Sequence, residues 1–313
     1  MKKKIFIDGR AGTTGLRIYE RLEYRYDIEL IILSDDERKD VAARKRALNE
    51  ADVAFLCLPD DAARESVSLI ENENTVVIDT STAHRTLEGW TYGFPEISEK
   101  IENALPASKR IAVPGCHASG FIALVYPLIE KGIISADSLL TCHSITGYSG
   151  GGKKMIAEYE SEERSPLYDA PRQYALGQTH KHLKEMKAIT GLSNEPIFCP
   201  IVSDFYSGMT VTVPLFKSQL NAGFAVEDIK KAYAERYANE FVKYVESADE
   251  SGLVSGAKLS GYDSMQISIA GNEERILLIA MYDNLGKGAS GAAIECLNYV
   301  LGVDKKTGLE IAE

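Results

Sequence analysis

From Ile5 to about residue 116, short apolar runs alternate with charged, helix-prone stretches, and this alternation constrains the fold more than any other feature. "IFID" (5–8), "IELIIL" (28–33), "VAFLCLP" (53–59), "TVVIDTS" (75–81) and "RIAVPGC" (110–116) read as strands. Residues 13–25, 36–51 and 60–73 between them read as helices, the last opening on Asp60 and Asp61, which suit the helix dipole. Near-continuous apolar strands separated by helices predict a parallel sheet covered on both faces, a Rossmann-like doubly wound α/β domain.

After about residue 150 the pattern changes. "MTVTVPLF" (209–216), "SMQISIAG" (264–271) and "RILLIAMYDN" (275–284) are longer and alternate, with a helical stretch at 225–238. A mainly antiparallel sheet with helices on one face follows, hence an α+β domain suited to catalysis and dimerisation. The Gly- and Ala-rich run 286–302 reads as a last helix that packs back on the first domain. The predicted division is therefore 1–116, completed by 285–313, and 117–284. A length of 313 residues suits two domains better than one core.

The formal net charge of −11 argues against general nucleic-acid binding. No apolar run reaches the ~18 residues of a membrane helix. "MKKKIFID" is too briefly apolar for a signal peptide and reads as the first strand, so a cytoplasmic protein is expected. Five cysteines, an odd number without CxxC spacing, argue against a disulfide framework or zinc knuckle, and no metal is expected.

Gly9, Gly12 and Gly15 follow the first strand with GxxGxxG spacing. Glycines there let the backbone approach a pyrophosphate whose charge the helix N-terminus stabilises, and Thr13 and Thr14 add hydroxyl donors. The second strand ends in "LSDDERKD". Asp35 or Asp36 would hold the ribose hydroxyls of NAD, whereas Ser34, Arg38 and Lys39 would accept the 2'-phosphate of NADP, and the residues leave that choice open.

Cys116, in "VPGCHASG", stands where a strand gives way to a helix, a position that favours thiolate and lowers the thiol pKa from about 8.5. The other four thiols read as small buried apolar residues. His117 adjoins it, but successive residues at a helix start point apart, and it receives no role. "QTHKHLKEM" offers His180 and His182. They fit a metal pair without a third ligand, a polar pair on one strand face, or, in one of them, an acid/base for Cys116. His84 and His143 are weaker candidates. "GYSGGGKK" (147–154) is suited to cradle an anion with backbone N–H groups and Lys153 or Lys154.

Together "GRAGTTG", "DTSTAHR", "YGFPE", "VPGCHASG", "GYSGGGK", "QTHKHLKEM" and "DNLGKGASG" span nearly the whole chain. In this order they resemble the N-acetyl-gamma-glutamyl-phosphate reductase family, the shorter of its two types, whose fold is similar to that of aspartate-semialdehyde dehydrogenase. The resemblance implies Cys116 as nucleophile, His180 as acid/base, NADP as cofactor and a homo-oligomer. It implies reductive dephosphorylation of N-acetylglutamyl 5-phosphate through a thioester, in arginine synthesis. Asn284 resembles the family's return to the nicotinamide. Ser149, Gly150 and Lys153 are candidates to hold phosphate or substrate, and Arg172 and Tyr174 candidates to contact substrate. Three other readings fit part of the pattern: the same chemistry on aspartyl phosphate or a carrier-linked aminoadipyl phosphate, a silent dinucleotide sensor, and a cysteine hydrolase.

Overall fold

The computed structural model describes residues 2–313, which divide into two compact units. The first is the chain up to Gly115 with Ala289–Leu309, and the second is Cys116–Gly288 with Glu310–Glu313.

In the first unit the elements run β1 (Lys3–Asp8), α1 (Thr13–Leu22), β2 (Ile28–Ile31), α2 (Val41–Glu50), β3 (Val53–Leu56), α3 (Asp60–Ser68), β4 (Val76–Asp79), β5 (Thr91–Tyr92), α4 (Glu99–Ala104) and β6 (Arg110–Ala112). The strands form one sheet in the order β2-β1-β3-β4-β6-β5, and every pairing is parallel. Alternate residues supply its two faces. Ile5, Ile7, Phe55 and Ile78 pack with α1 and the C-terminal helix (Gly291–Leu301), while Phe6, Ala54, Leu56 and Val77 pack with Leu48 and Ala63 of α2 and α3. Strand order turns back between β1 and β3, so the switch point where such sheets bind ligands lies at the carboxyl ends of these two strands.

The helix expected over 36–51 is broken. Asp40 is extended (φ −85°, ψ 116°) and its carboxylate accepts from Ala42 N and Ala43 N, both at 3.1 Å. This cap starts α2 afresh and leaves Glu37–Lys39 as a single 3₁₀ turn. Arg44 of α2 then reaches Asp8 at the end of β1 (3.0 Å) and Ser66 of α3 (2.6 Å), a buried tie beneath the glycine turn.

The second unit contains α5 (Cys116–Glu130), β7 (Thr141–Gly147), α6 (Gly152–Glu160), β8 (Arg172–Gln173), α7 (His182–Thr190), β9 (Ile197–Ser203), β10 (Met209–Phe216), α8 (Val226–Arg236), β11 (Val242–Tyr244), β12 (Met265–Gly271) and β13 (Arg275–Tyr282). Its sheet has the order β11-β12-β13-β10-β7-β9-β8. It is mixed: β7–β9 and β11–β12 are parallel and the other pairs antiparallel. Helix α5 is buried along most of its length and packs on β10 and β13. Pro127 within it has no N–H for the Ala123 carbonyl. The Tyr237 hydroxyl donates to that carbonyl at 2.6 Å, and Tyr233 donates to Leu124 O at 2.5 Å.

The run 286–302 is not one helix. Gly286–Ser290 form a π-helical turn ahead of Gly291–Leu301. The turn needs its glycines: a Cβ on Gly286 would stand 2.0 Å from Tyr262 O, and one on Gly288 would stand 3.1 Å from Cys116 Cβ. Residues 285–288 and 310–313 accordingly group with the second unit, the last through Glu310 N to Asp263 Oδ2 (2.9 Å) and Ala312 N to Ser264 Oγ (3.0 Å).

Candidate active site

The glycine turn separates into two kinds of glycine. Gly9 has φ +86°, and a Cβ there would stand 2.2 Å from Cys57 O at the end of β3. A Cβ on Gly15 would stand 2.5 Å from Gly9 O. Both are required by the protein's own backbone. Gly12 is different: its nearest neighbour to an added Cβ is Gly9 O at 3.4 Å, an ordinary contact. Its missing side chain leaves room for a ligand instead. Helix α1 starts there without a side-chain cap, and Thr13 Oγ1 is buried without a hydrogen bond. Open helix-start N–H groups, an orphaned hydroxyl and a bare glycine fit a dinucleotide pyrophosphate. Thr14 follows in the same turn, partly buried.

Beyond the end of β2, the charges of the candidate ribose-site residues are already engaged. Ser34 Oγ donates to Glu37 Oε2 at 2.7 Å, Ser34 N donates to the same oxygen at 2.9 Å, and Arg38 pairs with Asp35. Hydrogen bonds from Ser34 hold the Glu37 carboxyl below its usual range. Arg38 Nε, by contrast, is buried without a partner.

"DTSTAHR" folds around one buried carboxylate. Asp79 Oδ2 bonds His84 Nδ1 at 2.6 Å and accepts from Ser81 Oγ at 2.7 Å, and the His84 ring stacks on Trp90 at 4.0 Å. Arg85 Nε donates to Val113 O (2.8 Å), steadying the chain that leads into Cys116.

Cys116 is the first residue of α5 and is partly exposed. Of the other thiols, Cys142 and Cys296 are buried as expected, whereas Cys57 and Cys199 are partly exposed like Cys116. Burial pushes Cys57 up to about 12 and raises Cys142 further, so both stay protonated. Cys296 is buried against Gly93 O at 3.6 Å.

The rings of His117, Tyr174, His180, His182 and Phe198 form one aromatic cluster: His180 lies 5.9 Å from His117, 4.6 Å from His182 and 6.2 Å from Tyr174. His180 is not on a strand. It lies in the loop ahead of α7, and its Nδ1 accepts the His182 N–H at 3.2 Å. A neutral ring that accepts at Nδ1 carries its proton on Nε2. Gln178 delivers this loop: its side chain pairs with both Phe198 N (2.9 Å) and Phe198 O (2.7 Å), as a strand residue would. Gln178 and Ala175 both adopt φ +52°, a strained conformation for non-glycine residues.

His117 is buried, with Nδ1 2.7 Å from Ser144 Oγ and Nε2 2.5 Å from the Tyr174 hydroxyl. Burial, and next the neighbouring His180, pull its pKa down to about 3, so the ring is neutral. Burial, and next the charge of Cys116, push the Tyr174 hydroxyl up, so it keeps its proton. Among the described residues, no three His, Cys, Asp or Glu side chains are grouped to hold a metal.

The remaining candidates fall nearby in the fold or in its scaffolding. Asn284 Oδ1 accepts from Gly208 N (2.8 Å) and Nδ2 donates to Ser149 Oγ (3.0 Å), so Asn284 and Ser149 tie two loops together. The N–H groups of Gly147, Tyr148 and Ser149 are spent on the carbonyls of Gly208, Phe205 and Tyr206, which leaves the cradle to Gly150 and the residues after it. Lys153 is exposed. The Arg172 guanidinium lies 3.7 Å over the Tyr168 ring. Ser144, Gln178, Arg85 and Tyr282 escaped the sequence reading, because each acts through a partner that only strand register or tertiary packing brings near.

Residues 4–104 match the model of the semialdehyde dehydrogenase NAD binding domain, and residues 116–284 match that of the semialdehyde dehydrogenase dimerisation domain. The chain is 45% identical to N-acetyl-gamma-glutamyl-phosphate reductase 2 of Nostoc sp., over 98% of this chain and 99% of that one. The chain belongs to the N-acetyl-gamma-glutamyl-phosphate reductase family. A second member, the reductase of Chelativorans sp., is 46% identical over 96% of this chain and 99% of its own. In fold, this family member is similar to aspartate semialdehyde dehydrogenase II of Vibrio cholerae complexed with ASA (TM-score 0.73, 15% identity, 96% of this chain and 99% of that one). It is similar likewise to the NADP complex of the Candida albicans enzyme (TM-score 0.65, 16% identity, 98% and 100% covered). No helix of the described residues is long and apolar enough to cross a membrane.

Proposed function

We propose that this member of the family reduces N-acetylglutamyl 5-phosphate to N-acetylglutamate 5-semialdehyde, with release of phosphate, in arginine synthesis. Cys116 is the nucleophile and His180 the acid/base. The observation that carries the reading is the partly exposed Cys116 at the first residue of α5, with Cys57 and Cys142 held protonated by burial.

The Cys116 thiolate attacks the acyl phosphate carbonyl. The carbon–sulfur bond forms, the carbon–oxygen bond to phosphate breaks, and a thioester replaces a harder direct displacement. Gly12, Thr13 and Thr14 would hold NADPH, which would supply the hydride that the thioester needs to reach the aldehyde level. His180 Nε2–H donates as negative charge develops on the carbonyl oxygen, help worth about 10²–10⁴-fold. His180 takes the hydroxyl proton back as the Cys116 thiolate leaves the resulting thiohemiacetal, which frees the semialdehyde. Tyr174 and Arg172 are proposed to contact the substrate, and Gly150 and Lys153 the phosphate. Five unbridged cysteines support a cytoplasmic setting. A homo-oligomer built on the second unit's sheet is part of the same reading.

The test is phosphate-dependent oxidation of N-acetylglutamate semialdehyde by the purified protein, with NADP and NAD in parallel, beside Cys116→Ser. NADP-dependent turnover that Cys116→Ser abolishes is expected. Turnover of aspartate semialdehyde instead, or an active Cys116→Ser, refutes the reading.

A further inference from the structure

The ring of Tyr282, the last residue of β13, is fully buried. Its hydroxyl accepts the Gly120 N–H at 3.0 Å and donates to the Cys116 carbonyl at 2.5 Å. These are the two groups that an α-helix pairs with each other. A side chain from the sheet therefore enters the first hydrogen bond of the helix that begins with Cys116.

Two comparisons separate this contact from ordinary satisfaction of a buried polar group. The Tyr237 hydroxyl serves a carbonyl that Pro127 has released, whereas Gly120 retains the N–H that would serve Cys116 O. Tyr282 does not fill a vacancy at this point; it stands between two groups that would otherwise serve each other. The chain is also shaped to admit it. A Cβ on Gly120 would stand 2.7 Å from Tyr282 Oη and 2.7 Å from Val211 Cγ2, so glycine is the residue that leaves room for the ring. The strand continues into the turn whose Gly288 lies against Cys116, where an added Cβ would stand 3.1 Å from Cys116 Cβ. Burial pushes the Tyr282 hydroxyl well above its ordinary value, which keeps it a donor.

We propose that Tyr282 is a positioning residue for the cysteine: its hydroxyl sets the pitch of the first turn of α5 and thereby aims Cys116 relative to Tyr174 and His180. The proposal rests on Cys116 being the nucleophile. Without the hydroxyl, Gly120 N–H and Cys116 O close on each other and the thiol turns with them.

The experiment compares Tyr282→Phe with wild type and with Tyr237→Phe, which loses a hydroxyl from the same helix far from Cys116. In Tyr282→Phe, kcat is expected to fall about 10- to 100-fold, the scale of a misplaced reacting group. Its KM for the acyl phosphate stays within about twofold, the mark of a loss confined to the transition state. Alkylation of Cys116 by iodoacetamide, followed across pH, slows and its profile is displaced. Tyr237→Phe lowers the melting temperature but keeps the wild-type kcat and alkylation profile. A wild-type alkylation profile in Tyr282→Phe overturns the proposal, as does an equal displacement in Tyr237→Phe. If Tyr282→Phe does not fold, Gly120→Ala serves, since its methyl displaces the hydroxyl with the ring present, and an unchanged profile there overturns it equally. An active Cys116→Ser refutes the nucleophile itself, and the alkylation profile separates that failure from this one.

Discussion

The His117 imidazole lies between Ser144 and Tyr174 with both ring nitrogens engaged and stays neutral down to about pH 3. It cannot be the base that its place beside Cys116 suggests; it holds the Tyr174 hydroxyl. The depressed pKa has a thermodynamic sign. Above the ordinary histidine value of 6.5, neither folded nor unfolded chain binds the proton, and this contribution to stability is complete. Between 6.5 and about 3 only the unfolded chain binds it, so stability is lost as pH falls through that window, by about 1.4 kcal/mol per pH unit at the steepest. His117→Gln, which removes the titration, should flatten that acid limb. Urea unfolding at pH 7.5 and 4.5 should show wild type losing up to about 2.5 kcal/mol more than the variant between the two. Equal losses would mean that His117 titrates normally. The thiols give a second residue-scale prediction. Iodoacetamide at neutral pH should label Cys116 first, with acyl phosphate protecting it, because Cys57 and Cys142 are held protonated by burial. Peptide mapping that finds Cys57 or Cys199, the other partly exposed thiols, labelled ahead of it contradicts the assignment.

At the scale of elements, the turn from β1 to α1 divides its glycines between fold and ligand. Gly9→Ala must hold a side chain at φ +86° against Cys57 O, and should destabilise the protein by roughly 1–3 kcal/mol or more. Gly12→Ala meets no such contact and should melt as wild type does while NADPH binding weakens about tenfold or more, at least 1.4 kcal/mol. Calorimetry and cofactor titration on the two variants decide it; a Gly12→Ala that binds NADPH normally removes this turn from the cofactor site. The strands at 5–8, 53–56 and 209–216 were legible because apolar period and length agree there with burial. Cys116 was legible because a strand end followed by a small-residue helix start is a local signal. The break at Asp40 was less so, since Asp35 and Asp36 offer the same capping chemistry a few residues earlier. The π-turn over Gly286–Ser290 was invisible, because it answers to Tyr262 and Cys116, which are remote in sequence. For the same reason Tyr282, 166 residues from Cys116, carried no sequence signal. Its hydroxyl matters through one helix bond that only the fold brings to it.

At the scale of the whole molecule, the sheet of the second unit has two unlike faces. One is covered by α5 and its neighbouring helices. On the other, β12 and β13 bury Ile279 and Met281 under a cluster with Leu259 and Ala248, but the rest of the face is open. The registers Thr212↔His143 and Thr212↔Ile279 put Ile145, Leu277 and the neighbouring Pro214 on that open side, and pairing of Ile145 with Ile201 extends it across β9. Ile145 is 40%, Leu277 39% and Ile197 60% exposed. Exposed apolar side chains on this face, with Thr212 and His143 among them, on a chain of net charge −11 have a physical reading: the net charge repels an identical copy, and the apolar side chains favour one. A second copy docking face to face would bury them, consistent with the dimerisation-domain match of this unit. Leu277→Asp and Ile145→Lys each place a charge where that contact would close. Light scattering on the wild type should therefore give a multiple of the 34.3 kDa chain mass, and on either variant the mass of one chain. Added salt should strengthen the wild-type assembly by screening the net charge, since apolar burial persists where the repulsion does not. A wild type that scatters as a single chain, or variants that keep its mass, would leave this face without a second copy.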